Sequence, residues 1–199
     1  MTDVAIIDSG GANIASLLYA FDRLRAKAIL TTDIEAIRST SRVVLPGVGA
    51  AKDAMRRLDE AGLVDVIRDL TQPVLGICLG MQLLCEGSEE ENVECLGIIP
   101  GTATRLSATT RCPVPNMGWC ETNFRADDPM LRGIANDSYF YYLHSYALPV
   151  SEHTLATANH TDDFSAIVRC RNFFAAQFHP ERSSASGARL LQNFLAAPI

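Results

Sequence analysis

Short, wholly apolar runs alternate with segments of helical period through the first eighty residues, and this alternation limits the possible folds more than any other feature. Val4-Ala5-Ile6-Ile7, Ala28-Ile29-Leu30, Val43-Val44-Leu45 and Pro73-Val74-Leu75-Gly76-Ile77 have the length of strands. Between them Ile14, Leu17, Leu18, Phe21 and Leu24 recur at three- and four-residue spacing. Ala54, Met55 and Leu58 do the same, and so do Leu63, Val64, Ile67 and Leu70. A strand that is apolar on both faces must be covered on both, and helices between strands favour parallel crossovers. The expected class is α/β, with a mixed, mainly parallel sheet flanked by helices. Ligands of such sheets bind beyond the carboxyl ends of the strands. The residue after Ile7, Gly49 and Cys78 should therefore share one edge.

Beyond Leu96 the pattern changes. Leu96-Gly97-Ile98-Ile99, Ser138-Tyr139-Phe140-Tyr141-Tyr142, Ser165-Ala166-Ile167-Val168 and Phe173-Phe174-Ala175-Ala176-Gln177-Phe178 are aromatic or β-branched runs separated by turn residues. They predict an antiparallel extension of the sheet in the second half. A closing helix, roughly Ser184 to Ala196, carries Leu190, Leu191, Phe194 and Leu195 on one face. With no internal repeat and no low-complexity linker, one domain over residues 1–199 is expected. Its 199 residues, 48% of them hydrophobic, suffice for a full core. The net charge of -6 and the lack of a basic run argue against nucleic acid or an anionic membrane as partner. No apolar stretch approaches the ~18 residues of a membrane span. The opening Met1-Thr2-Asp3 has no basic segment ahead of an apolar one, so no signal peptide and a reducing, cytoplasmic location are expected. The six cysteines are Cys78, Cys85, Cys95, Cys112, Cys120 and Cys170. They form no Cys-x-x-Cys pair and no Cys/His cluster, so no metal site is expected. Apart from Cys78 they read as small core residues or free thiols.

Chemistry concentrates where the fourth apolar run ends. Gly76-Ile77-Cys78-Leu79-Gly80 sets a cysteine between two glycines at a strand-to-helix junction, with Met81-Gln82-Leu83-Leu84 following. This is the pattern of a nucleophile elbow. The turn is sharp, and a Cβ at either flank would strike neighbouring chain. A cysteine at a helix N-terminus is shifted toward thiolate, the nucleophilic form. Such a nucleophile needs a base, and the base needs an acceptor that orients it. Gln177-Phe178-His179-Pro180-Glu181 follows a strand pattern, and residues two apart in an extended chain share a side. His179 and Glu181 are thus expected to project together, stiffened by Pro180. The bland alternative is a turn histidine beside a solvated acid. Leu45-Pro46-Gly47-Val48-Gly49 is either an ordinary tight turn or a source of backbone donors. In the second case the N–H of Val48 or Gly49, with that of Leu79, would hold a developing oxyanion.

Taken in order, Pro46-Gly47-Val48-Gly49, then Gly76-Ile77-Cys78-Leu79-Gly80-Met81-Gln82-Leu83-Leu84, then Gln177-Phe178-His179-Pro180-Glu181-Arg182-Ser183 resemble the class I, triad-type glutamine amidotransferases. The resemblance spans nearly the whole chain. It implies a flavodoxin-like, class I glutaminase-like sheet, a triad of Cys78, His179 and Glu181, glutamine as substrate, and no metal or organic cofactor. It also implies that Gly47, Gln82, Glu90 and the backbone of His144, Ser145 and Tyr146 hold the substrate. Read without the resemblance, Gln82 is an exposed helix residue and Glu90 part of a solvated acidic run, Glu89-Glu90-Glu91.

Within that family the chain is most similar to glutaminase subunits of imidazole glycerol phosphate synthase. The likeness rests on Ile7-Asp8-Ser9-Gly10-Gly11-Ala12-Asn13, Pro115-Asn116-Met117-Gly118-Trp119 and Tyr142-Leu143-His144-Ser145-Tyr146. It implies a heterodimer with a separate (β/α)-barrel cyclase, which receives ammonia. The joint products would be imidazole glycerol phosphate and aminoimidazole carboxamide ribotide, in histidine biosynthesis. Segments 9–13 and 115–119 are then candidates for the docking surface or for transmitting acceptor occupancy, with Trp119 either part of that surface or a core or sheet-packing aromatic. Four positions depart from the usual motifs: Ser9 replaces Tyr, Ala12 replaces Gly, Asn116 stands where His or Gln is commoner, and Cys120 stands where Asn commonly follows. None touches the triad. Three alternatives stay open: the glutaminase of another amidotransferase, a catalytically silent partner-binding subunit, and a cysteine hydrolase on a similar sheet. A glutaminase assay with and without the cyclase separates them.

Overall fold

The computed structural model describes residues 3–10 and 14–197. The first half runs β1 (Val4–Ile7), α1 (Ile14–Arg23), β2 (Ala28–Thr31), α2 (Ile34–Ser39), β3 (Arg42–Leu45), α3 (Ala51–Glu60), α4 (Val64–Arg68), β4 (Val74–Ile77) and α5 (Leu79–Leu84). The second half runs β5 (Cys85–Ser88), β6 (Val93–Glu94), β7 (Ile99–Arg105), β8 (Asn116–Phe124), β9 (Ser138–His144), β10 (Tyr146–Ala147), β11 (Thr154–Asn159), β12 (Asp163–Cys170), β13 (Phe173–Ala176) and α6 (Ser184–Ala196).

The main sheet has the order β2-β1-β3-β4-β13-β12-β11-β8-β9. Its first five strands are parallel and the remainder antiparallel. Alternation along each strand sorts the core into two layers. Val4, Ile6, Val44, Leu75 and Ile77 face α1 and α6, packing on Leu17, Phe21, Leu190 and Phe194. Ala5, Ile7, Val43, Leu45 and Val74 face the other way, onto Ile37, Leu58, Ile67 and Leu83. These are the apolar runs and helical periods of the sequence, now covered on both sides as their composition requires. Among the described residues no helix is long and apolar enough to cross a membrane.

The second half departs from the sequence pattern in two respects. A separate small sheet, β10-β7-β5-β6, packs beside α5. The run Leu96–Ile99 is not a strand except at its last residue, since β7 starts at Ile99. The backbone N–H groups of Leu96, Gly97 and Ile98 donate instead to the carbonyls of Leu83, Cys85 and Leu84. The run is buried because it caps α5, whose last carbonyls have no acceptor role within the helix. Gly97 adopts φ +65, the left-handed conformation that lets the chain turn there.

Candidate active site

β4 and β13 are parallel neighbours, paired Gly76↔Ala175 and Ile77↔Ala176. Parallel pairing brings their carboxyl ends to one edge, so the segment after Ile77 and the segment after Ala176 emerge side by side. Cys78 stands at that edge with φ 54 and ψ -109, and its N–H donates to Ala176 O over 2.8 Å. A positive φ in a non-glycine residue stores strain, as the elbow requires. The flanking glycines are sterically obligatory. A Cβ on Gly80 would lie 1.8 Å from Leu45 O, and one on Gly76 would lie 2.7 Å from Leu84 Cδ1. Gly47 is equally close to the elbow, since its Cβ would come within 2.9 Å of Leu79 Cβ.

His179 and Glu181 meet, but not by the extended geometry expected from their spacing. The strand ends at Ala176, and Pro180–Arg182 forms a single 3-10 turn with His179 as its N-cap. That turn folds Glu181 back so that Oε1 lies 2.9 Å from His179 Nδ1, with both side chains buried. The turn is tied to β9: His179 N–H donates to Tyr141 O, Tyr141 N–H donates to Ser183 Oγ, and Ser183 Oγ donates to His179 O. Burial works against a charged imidazole, but the neighbouring Cys78 and Glu181 outweigh it and lift His179 to about 10. Cys78 Sγ also lies 3.6 Å from Leu143 O.

A cavity of about 240 Å³ opens beside the sulfur. Its walls are Val48, Gly49, Cys78, Leu79, Gln82, Glu90, Pro115, Leu143, His144, Ser145, Tyr146 and His179. Every residue expected to hold substrate thus reaches it except Gly47, which supports the elbow from behind and lines a smaller recess with Pro46, Val48, His179 and Glu181. Leu79 is the first residue of α5, so its N–H has no acceptor within the helix. Gln82 is buried and donates through Nε2 to Tyr146 O over 2.9 Å, so it is not an exposed helix residue. Glu90 is not simply solvated either: Oε2 accepts from Ala51 N–H over 2.9 Å at the start of α3. Its neighbour Glu89 accepts from Arg105 N–H instead, and Glu91 lies near Lys52 on the surface. Burial pushes His144 down to about 4, so its ring is neutral.

Of segment 9–13, Ser9 is buried and donates through Oγ to Pro46 O over 2.9 Å, which ties β1 to the glycine-rich turn. Gly11, Ala12 and Asn13 lie outside the described residues. In segment 115–119, Pro115 lines the cavity, Asn116 points inward, and Met117 and Trp119 are exposed. Trp119 is therefore no core aromatic; it packs edge-on against Tyr141 on the outer face of the sheet with about half its surface exposed. Leu143, Pro115, Asn116 and Gln177 take part in the site without having been singled out for it. The alternation in β8, small or polar at 116, 118, 120 and 122 against bulky at 117 and 119, was the signal for Asn116.

A family model described as glutamine amidotransferase class-I matches residues 5–197. The subunit HisH of imidazole glycerol phosphate synthase from Mannheimia succiniciproducens is 48% identical, over 96% of this chain and 97% of its own. The HisH subunit of Haemophilus influenzae is also 48% identical, over 98% of each chain. Among solved structures, a glutamine amidotransferase superposes with TM-score 0.76 at 18% identity, covering 97% of both chains. A putative GMP synthase subunit from Thermoplasma acidophilum does so with TM-score 0.75 at 16% identity, over 98% of this chain and 93% of its own.

Proposed function

This chain belongs to the class I glutamine amidotransferase family, and from that membership we infer that it is the glutaminase subunit of an imidazole glycerol phosphate synthase, acting in histidine biosynthesis. The observation that carries the chemistry is a thiol, an imidazole and a carboxylate gathered at a strained elbow that opens on a cavity. Cys78 attacks the side-chain carboxamide carbon of glutamine. His179 gives its proton to the leaving nitrogen, which departs as ammonia, and Glu181 holds the imidazole ring in orientation. Water, deprotonated by His179, then hydrolyses the γ-glutamyl thioester and releases glutamate. The N–H of Leu79 with that of Val48 or Gly49 stabilises the oxyanion in both halves. Gln82 Nε2 is committed to Tyr146 O, so its carbonyl oxygen and the Glu90 carboxylate are the acceptors for the substrate ammonium. The backbone of His144, Ser145 and Tyr146 forms the opposite wall.

Ammonia released into neutral water becomes ammonium, which is no nucleophile. The reaction is therefore useful only beside an acceptor site, and the partner is a cyclase subunit in a heterodimer. An exposed apolar stripe of Met117, Trp119, Tyr139 and Leu143 on β8 and β9 supports a docking face there. We treat residues 1–199 as one glutaminase domain. Its six cysteines are all unpaired, which agrees with a cytoplasmic location.

The test is glutamate release from glutamine with the cyclase added and omitted. Activity stimulated by the cyclase and abolished by Cys78→Ala is expected. Turnover at the wild-type rate in Cys78→Ala would overturn the nucleophile assignment, and a correctly folded pair with no glutaminase activity would overturn the function.

A further inference from the structure

We propose that Asn116 is a positioning residue for glutamine: its amide fixes the tautomer of His144 and, through it, the Tyr146 carbonyl and the 144–146 wall of the pocket. The proposal rests on the glutaminase reading above and adds a residue to it from β8.

The polarity of the network follows from one atom that can only accept. His144 Nδ1 lies 2.9 Å from Tyr146 O, so the ring proton is on Nδ1. Nε2 then carries a lone pair, and Asn116 Nδ2, at 3.1 Å, must donate to it. That orientation turns Asn116 Oδ1 toward Cys120, whose thiol donates to it over 3.5 Å. Both ends of the amide are thereby satisfied with consistent polarity. Tyr146 O accepts a second hydrogen bond from Gln82 Nε2 over 2.9 Å. One backbone carbonyl is thus held from β9 by a histidine and from the elbow helix α5 by a glutamine. Asn116, His144 and Gln82 are all buried, where a mismatched donor or acceptor finds no water to correct it. The ring is packed between Tyr142 and Phe164, and the titratable groups that act on it, His160 and His179, both disfavour its charging. A neutral ring in one tautomer is the only state that satisfies every neighbour. Asn116 and Cys120 are two of the positions that depart from the usual motif, and the structure couples them directly.

Asn116→Asp retains size but replaces the donor with an acceptor. The proton is then drawn to His144 Nε2, and Nδ1 turns a lone pair on Tyr146 O. Binding of a glutamine-mimicking diazoketone, read as the concentration for half-maximal alkylation of Cys78, should weaken about tenfold, as expected for one buried hydrogen bond made repulsive. The KM for glutamine should rise in parallel, with kcat changing less. Alkylation of Cys78 by iodoacetamide, which needs no pocket wall, should be unchanged. Asn116→Gln, which keeps the amide donor, should restore much of the affinity. In histidine-labelled protein, 15N NMR should show His144 with a bare Nε2 in the wild type and a protonated one in Asn116→Asp. A wild-type His144 protonated at Nε2 overturns the proposal without any variant. So does an Asn116→Asp protein whose diazoketone affinity matches the wild type. If wild-type Cys78 shows no preference for the diazoketone over iodoacetamide, the glutaminase reading falls and the role assigned to Asn116 falls with it.

Discussion

The His179 imidazole holds its proton through neutral pH. His179 is buried, which by itself would keep it neutral, yet the sulfur and the Glu181 carboxylate together lift it to about 10. Because this lies above the ordinary 6.5, the charged ring persists through neutral pH and is lost only as pH rises toward about 10. In the proposed reaction the general acid is therefore already charged when glutamine arrives. NMR of the His179 ring should show an imidazolium at neutral pH in the wild type. Both Cys78→Ala and Glu181→Gln should move its titration downward. Glu181→Gln keeps a hydrogen-bonding oxygen but loses the charge, and should lower kcat/KM by about 10²–10⁴-fold, the range of a weakened general acid–base and orienter. A variant within twofold of wild type would mean that Glu181 only fills space.

The elements hold these residues by close approach more than by polar contacts. At Gly80 the elbow helix passes so near Leu45 O that no side chain fits, so Gly80→Ala must push α5 off the sheet. A loss of at least about 3 kcal/mol is expected, on the order of 10 °C in melting temperature for a chain of this size. At the opposite edge Arg42, at the start of β3, donates to the last carbonyls of α6, including Phe194 O and Leu195 O. Phe194 O also accepts from the Ala197 N–H at the helix end, whereas the final-turn Leu195 carbonyl lies beyond the helical ladder, and Arg42→Leu should cost about 2–4 kcal/mol by calorimetry without changing the KM for glutamine. The steric demand at Gly76 and Gly80 was readable from the chain, as were the strands that are apolar on both faces and the closing helix. β8 and β11 were not. Thr154–Asn159 mixes threonine, alanine and leucine without a polar–apolar alternation, and Asn116–Phe124 carries Met117 and Trp119 on the solvent face. Leu96–Ile99 misled for the opposite reason. Its burial is real, but it serves a helix end, and apolar composition cannot tell a cap from a strand. The meeting of His179 and Glu181 was expected, yet through an extended chain, whereas Pro180 starts a 3-10 turn.

The whole molecule presents one face on which the site and the proposed partner would adjoin. On β8 and β9 the outward residues pair Met117↔Leu143 and Trp119↔Tyr141, leaving Trp119 51% and Met117 68% exposed. Trp119 packs edge-on against Tyr141, and the Arg182 guanidinium sits 4.8 Å over the same ring. Arg182 is the residue after Glu181, so the stripe runs to the backbone of the triad turn. Leu143 contributes its side chain to the stripe and its carbonyl to the environment of the Cys78 sulfur. A cyclase seated on this face would touch the segments that frame the nucleophile without entering the glutamine cavity. Trp119 is the only tryptophan of the chain, so its fluorescence reports on this surface alone. Adding the cyclase should shift the emission to the blue and quench its accessibility to iodide. Trp119→Ala should weaken the complex by about 2 kcal/mol or more, roughly thirtyfold in Kd, as for a buried aromatic anchor. Basal glutaminase activity should hold, since the side chain faces away from the cavity, while stimulation by the cyclase should require higher concentrations of it. Emission that does not move on addition of a cyclase that still stimulates glutamine hydrolysis would put the docking face elsewhere on the molecule.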